Sequence, residues 1–378
     1  MLELLKVHDI YESAPIEVEA YDPERLNILK GSTKAQPLAD RLVGDAAAYL
    51  REPGRYIEMG AVELEHSIAN GGAPPAKPYW DKVLASDRGA RVRFLRQLAS
   101  LGLGVFCRKA RGYMGIFFIR KKTGMQRMIL DARFASACHR KPPACRLGTP
   151  AALGRLDLSD EALRAGGLEP ASALHAVGID LVDCFYQYNV LHMCDWFACE
   201  RAEPASVWEV TEAWDPSAGR YDAVDPSTQL YFCFSALPMG WSWSLFFAQS
   251  AMTTALRTVF PQRSLGSAGL VGGLLEDASV APLVGKSAPV CAVYVDNATI
   301  VAESRAAAAA AAELAKGALR RVGLVVGDYD PPTQHLRTLG LELDLAARKL
   351  SHQPRRAWAI YGGCRALLHM GGGHVQDD

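Results

Sequence analysis

The chain has 378 residues, 49% of them apolar, with a formal net charge of +0 and a pI near 7.1. That apolar share excludes a disordered polyelectrolyte and is ample for a sizeable core in two or three lobes. Nine cysteines without a CxxC pair exclude the familiar zinc frameworks, and no apolar run approaches the ~18–20 residues that a bilayer span needs.

The opening Met-Leu-Glu-Leu-Leu-Lys lacks the basic-then-apolar layout of a secretory signal, so an intracellular chain with reduced thiols is expected. Charge is unevenly distributed. From Cys107 to Arg146 eleven Lys/Arg stand against one acid, Asp131, whereas from Ala151 to Leu230 fourteen Asp/Glu stand against four Arg. From Ala346 to Gln376 there are basic residues and no acid. This division suits a polyanion on the flanks and a metal in the middle, with a solvated charged face as the plain alternative.

Residues 1–75 show weak, mixed periodicity and lead to the Gly/Pro-rich loop 70–78, with no chemistry assignable. A helix is predicted over about 88–101, with Val92, Phe94, Leu95, Leu98 and Leu101 on one side and Gly102 as its stop. Ile116–Ile119 and Met128–Leu130 read as an antiparallel hairpin around Thr123-Gly124, with Arg120, Lys121, Lys122 and Arg127 near its tip. Grouped cations there suit phosphate capture, or simply a soluble edge.

The run His175-Ala-Val-Gly-Ile-Asp180 reads as a buried strand ending in an acid, which needs a partner or a metal. Helix capping is the alternative for Asp180 and Asp183. Residues 201–230, rich in Pro, Asp and Ser, read as an inserted loop. Tyr231–Ser235 is a short strand, followed by the turn Leu237-Pro238-Met239-Gly240-Trp241 and a helix to about Phe260 that Pro261 ends. Leu245, Met252, Leu256 and Val259 form its core stripe. Residues 262–289 read as a flexible insertion.

Ala292–Ala302 reads as a tight hairpin with Asp296-Asn297 as its two-residue turn, lifting a carboxylate clear of the sheet. An ordinary surface hairpin is the alternative. Ser304 is placed to cap a helix through Arg321, closed by Gly323; Leu324–Val326 and Leu339–Leu343 then read as strands. The tail from Ser351 reads as helical pieces that break off early.

In order, the chain offers a basic hairpin, a strand-end Asp, a Leu-Pro-x-Gly turn followed by Gln249-Ser250-Ala251-Met252, a Tyr-x-Asp hairpin and a Leu-Gly pair. This arrangement resembles the fingers and palm of reverse transcriptases of retroelements and retroviruses. The resemblance covers roughly residues 105–345. It implies an α+β polymerase right-hand fold, in which an antiparallel palm sheet packs on helices beside a fingers subdomain. Residues 1–104 would be an N-terminal extension and helical lead-in, and 346–378 a truncated start of the thumb.

The resemblance also implies roles. Asp180, Asp296 and Asn297 take the catalytic positions, with Asp180 and Asp296 ligating two Mg²⁺ ions, Mn²⁺ being the alternative. Phe185 resembles the aromatic residue beneath the nucleotide sugar. Asp183 and Cys184 fall along the triphosphate, and Lys121, Arg127, Met239 and Gly240 complete the nucleotide site. Arg133, Trp241 and Tyr294, with Leu339 and Gly340, are similar to template and primer contacts. The implied partners are an RNA or DNA template with a DNA primer, and deoxynucleoside triphosphates; no membrane is implied.

The departures are specific. Asn297 stands where the family usually has a second Asp, Met239 where retroviral enzymes often have Gln, and 322–338 contains no lysine for a general acid, only His335 and Arg337. At ~4 Å and an effective dielectric of ~20, one unit charge is worth about 4 kcal/mol to another, so Asn297 weakens a dication site. The expectation is therefore an RNA-directed DNA polymerase of a retroelement, with a decayed, impaired relative that only binds nucleic acid as the alternative.

Overall fold

The computed structural model describes residues 18–26, 36–75, 77–121, 123–264 and 269–352, together with 357–358, 360–362 and 365. The chain is mixed α+β, with the candidate acids and the candidate cations carried on two different sheets.

The acids sit on a five-stranded sheet ordered Gly273–Leu275, Val290–Tyr294, Asn297–Ala302, His175–Leu181 and Val326–Tyr329. Its first pair is parallel and the others antiparallel. Residues Val290–Val293 and Ala298–Ala302 are all buried, as expected of short β-branched and small-residue runs covered on both faces. The helices Ser244–Arg257 and Arg305–Arg321 pack on this sheet. The second helix begins where Ser304 Oγ accepts the Ala307 N–H at 3.1 Å, and it ends before Gly323, whose φ of 74° only glycine adopts without strain.

The cations sit on a nine-stranded sheet that contains the hairpin Tyr113–Arg120/Gln126–Asp131. The predicted helix appears as Arg88–Ser100, capped by Asp87, with Phe94, Leu95 and Leu98 buried against this sheet's core. One apolar cluster runs from Leu38 through Phe118, Ile179 and Trp243 to Leu319, so Leu38, Leu50, Leu84 and Phe94 share a core with both sheets. Among the described residues no helix is long and apolar enough to cross a membrane.

Several expectations shift. Residues 201–230 are not an open loop. Ala205–Trp208 is a helical turn whose Trp208 is buried, and Glu212–Asp215/Arg220–Ala223 is a hairpin added to the nine-stranded sheet through Trp214 and Cys107. Its strands are four residues long, too short for periodicity to register, and their partner lies far away in sequence. Part of 262–289 is likewise ordered, since Gly273–Leu275 is the parallel edge strand and Leu275 and Val284 are buried; residues 265–268 lie outside the described set.

Met252 and Leu256 are buried as expected, whereas Leu245 is 41% exposed, and Phe247, Ala248 and Ala251 complete the buried face. Leu339-Gly340 is not the start of a strand but the two-residue turn between His335–Thr338 and Leu341–Asp344, with φ of 48° and 74°. A third strand, Lys349–His352, completes that small sheet past residue 345. The predicted strand 324–326 begins instead at Val326.

Candidate active site

The tip of the Val290–Ala302 hairpin is displaced by one residue from the expected Asp-Asn turn. Tyr294 pairs with Asn297, so the two turn residues are Val295 and Asp296. Val295 has a φ of 57°, a conformation that costs a β-branched residue ~1–3 kcal/mol and persists only where its surroundings enforce it. The enforcement comes from Gln249, buried on the helix Ser244–Arg257. Its Oε1 accepts the Val295 N–H at 2.7 Å, while its Nε2 donates to Val293 O at 3.1 Å and Arg146 O at 3.0 Å. Gly148 closes the other side, donating its N–H to Val293 O at 2.6 Å; a Cβ there would lie 2.5 Å from Val293 N.

Asp180 enters from the neighbouring strand. It stands opposite Asn297 in antiparallel register, and the Leu181 N–H donates to Asp296 O at 3.0 Å. The strand-end acid and the hairpin-tip acid, 116 positions apart in sequence, are thereby adjacent. Although Asp180 keeps an exposed edge, surrounding protein withholds water from its carboxyl. That desolvation, then the charges of Asp296 and Asp183, push it up to about 6. Asp296 is also raised, by burial, against the lowering effects of backbone and Asn297 hydrogen bonds and the Arg127 charge. Asn297 Nδ2 donates to Asp296 Oδ1 at 2.8 Å, so the amide expected at a catalytic position is a hydrogen-bond donor to the acid beside it.

Beyond Asp180, Asp183 adopts a left-handed conformation (φ 44°) and starts the short 3-10 helix Cys184–Gln187. Cys184 is buried, and burial pushes its thiol up; Phe185 is half-buried against the main core. Gln187 fastens this turn to the last strand, accepting from Val325 N at 2.7 Å and donating to Val325 O at 3.1 Å, with Val182 O as a second acceptor. Gln187 and Gln249 are positioning residues that the sequence reading left without roles. The available signal was an amide set among apolar neighbours, such as Phe247, Ala248, Ala251 and Met252 around Gln249.

Among the expected cations, Arg127 is exposed, pairs with Ile119 in the basic hairpin and lowers Asp296 through its charge. Lys121 lies at the hairpin turn, its N–H donating to Met125 O at 2.7 Å and its carbonyl accepting from Gly124 N at 2.9 Å. Lys122 lies outside the described residues. Arg133 is clamped by the buried Asp131 through two 2.7 Å bonds from Nε and Nη2, and most of its side chain remains exposed.

Met239 is half-buried and Gly240 presses on the basic hairpin, where a Cβ would lie 2.1 Å from Leu130 O. Trp241 is a correction. It is 2% exposed, donates Nε1–H to His139 Nδ1 at 2.8 Å and packs among Phe197, Trp243 and Phe247, so it is core and offers no face to a template. Tyr294 is half-buried beside Asn297. The Leu339-Gly340 turn reaches the acid-bearing hairpin through Thr338 Oγ1, 2.7 Å from Thr299 Oγ1.

Among the described residues, no group of three or more His, Cys, Asp or Glu side chains forms a self-sufficient metal cage. The donor set is two carboxylates, Asp180 with an exposed edge and Asp296 half-buried, and the charges of Asp296 and Asp183 both act on Asp180. Such a set fits a hard dication that completes its shell with water and substrate phosphates, as Mg²⁺ does.

No protein-family model matches the chain, and no curated protein matches it. Among solved structures, the chain is similar to a foamy viral protease–reverse transcriptase in complex with double-stranded DNA, at 14% identity and a TM-score of 0.47. That match covers 91% of this chain and 54% of the other, so the chain spans about half the length of that structure. A likeness of that size carries no functional argument, which rests on the site alone.

Proposed function

We propose that the chain is an RNA-directed DNA polymerase of the reverse-transcriptase kind, transferring nucleotides to a primer 3′-hydroxyl. The observation that carries this reading is the meeting of Asp180 and Asp296 across adjacent strands, Asp180 raised by burial and then by the Asp296 and Asp183 charges, and Asp296 raised by burial, a state that a bound dication would relieve. Asp180 and Asp296 would hold the metal, Mg²⁺ by preference and Mn²⁺ as the alternative. The chemistry that such a pair would supply, when held by these two carboxylates, is activation of the attacking hydroxyl and neutralisation of the leaving pyrophosphate.

This chain's own residues then divide the remaining work. Arg127, and Lys121 beside it at the hairpin turn, neutralise the triphosphate of the incoming deoxynucleotide. Phe185, half-buried next to the turn at Asp183 and Cys184, supports its sugar. Gly240 and Met239 keep that space narrow, and the exposed side chain of Arg133 is available to a template phosphate. The Leu339-Gly340 turn and Tyr294 are left for the primer strand. Binding of template and primer would be led by phosphate contacts and weakened by salt.

A second reading has its own observation. The Asn297 amide occupies Asp296 Oδ1 and contributes no negative charge, which suits a chain that keeps the fold and binds nucleic acid but polymerises slowly. Extension of a DNA primer on an RNA template with Mg²⁺, for the chain as it stands and for Asn297→Asp, separates the two. Extension by both supports the enzyme, and extension only after substitution supports the impaired form. Extension that survives Asp180→Asn or Asp296→Asn would remove both readings.

A further inference from the structure

A second concave site shares no residue with the carboxylates. A cavity of about 190 Å³ opens where the segment leading into the helix Arg88–Ser100 meets the strand Ala198–Cys199. Arg91 and Cys199, both buried, lie at its base, Trp80 forms a wall, and Lys77, Glu200 and Arg201 stand at its edge.

Charge in this cavity does not balance. Arg91 is only 5% exposed, yet its hydrogen bond goes to a neutral acceptor, Leu84 O, at 3.0 Å, and the Glu203 carboxylate is 3.6 Å away. Glu203 is already committed to Arg88, which it meets at 2.7, 3.0 and 3.2 Å. Arg201 donates to Ala85 O at 3.1 Å, another neutral group. Among the described residues neither Lys77 nor Arg201 has a carboxylate within ion-pair distance. The cavity lining itself carries three cations, Lys77, Arg91 and Arg201, against one acid, Glu200; behind it Glu203 is shared by Arg88 and Arg91, and the Asp87 charge also reaches Arg91. Burial, then the Arg201 charge, lower Arg91 against the raising effect of Glu203, an ion-pair partner that Arg91 shares with Arg88.

A buried guanidinium in that state is stabilised by an anion offering several oxygens, and phosphate matches a fork of guanidinium N–H groups. The indole of Trp80 beside these cations provides an aromatic wall of the kind on which bases stack. We propose that this cavity binds the phosphate of a nucleotide unit, with its base against Trp80. The unit is either a free mononucleotide or one residue of a single strand.

The test is calorimetric titration of the whole chain in EDTA at low ionic strength, with inorganic phosphate, AMP and a short single-stranded oligo(dA) as probes. EDTA keeps the result independent of the carboxylate site. Saturable AMP binding is expected, weakened about tenfold by Lys77→Glu and by Arg201→Glu, each the loss of one charge-assisted contact. Both side chains are exposed, so thermal midpoints should not move. Trp80→Ala should weaken AMP while sparing inorganic phosphate. Tighter binding of oligo(dA) than of AMP, lost with the same substitutions, identifies the strand as the source; the reverse order identifies the free nucleotide. The proposal is overturned if neither AMP nor oligo(dA) binds saturably, or if binding ignores the charge reversals. AMP binding indifferent to Trp80→Ala overturns the nucleotide assignment.

Discussion

Asp296 and Arg127 are close enough for the charge of one to shift the other, yet they hang from sheets built on different terms. The acid-bearing hairpin has both strands buried, its turn gripped by Gln249 and Gly148, and its neighbour Asp180 fixed in register. The cation-bearing hairpin alternates, with Gln126, Met128 and Leu130 inward and Arg127 outward, and its Thr123-Gly124 tip is open to solvent. The difference follows the chemistry each group is asked to do. Ligands to a small dication must be held to fractions of an ångström, whereas a cation that meets a triphosphate can act from a long, solvated side chain.

That contrast can be broken most severely at the carboxylates. Asp296→Asn removes a unit charge worth about 4 kcal/mol at ~4 Å and an effective dielectric of ~20, so primer extension should fall about a thousandfold with folding intact. Steady-state extension and thermal melting of the same preparation check both halves. The next largest effect is expected at the brace. Gln249→Leu leaves Val295 N buried without its partner, lowering unfolding free energy by about 2 kcal/mol, read by urea titration. An unchanged midpoint would mean that the tip does not depend on the helix.

Asn297→Asp should raise activity about tenfold at limiting Mg²⁺ by strengthening the dication site. It should also raise Asp180 further, readable by titration followed with carboxyl NMR. Arg127→Ala on the looser sheet should change the KM for nucleotide about tenfold with little change in melting, as expected for one exposed charge-assisted contact. The smallest effect is on pH dependence. Asp180 sits near 6 when folded against an ordinary 3.8, so the folded chain holds this proton longer than the unfolded one. The stability it contributes is therefore highest below the ordinary value and falls as pH rises toward 6. Asp180→Asn should raise the melting temperature at pH 7 and leave it unchanged at pH 4, and Mg²⁺ should stabilise the native chain more at pH 7 than at pH 5.

The same division explains what could be read from the sequence. The helix Arg88–Ser100, the basic hairpin, the strand to Asp180, the hairpin Val290–Ala302 and the alanine-rich helix all announce themselves by local patterning and caps. The tip was misplaced by one residue because Asn297 favours a turn more than Val295 does, and only Gln249, from another element, forces the less favourable choice. The hairpin within 212–223 and the edge strand Gly273–Leu275 were missed because their order comes from distant partners rather than from their own composition. Trp241 is implied by the resemblance as a template contact, but its partner His139, 102 positions away, makes it core.

Gly148 and Gln249 also decide how portable this pair of acids is. A protein engineer who grafted the hairpin 290–302 alone onto another scaffold would leave Val295 without its acceptor and the strand without its flat neighbour. The smallest transferable piece comprises four separate stretches: the strand His175–Leu181 with Asp180, Arg146 to Gly148, the helical turn bearing Gln249, and the hairpin itself. A change in any one of the four would disturb the fit of the others.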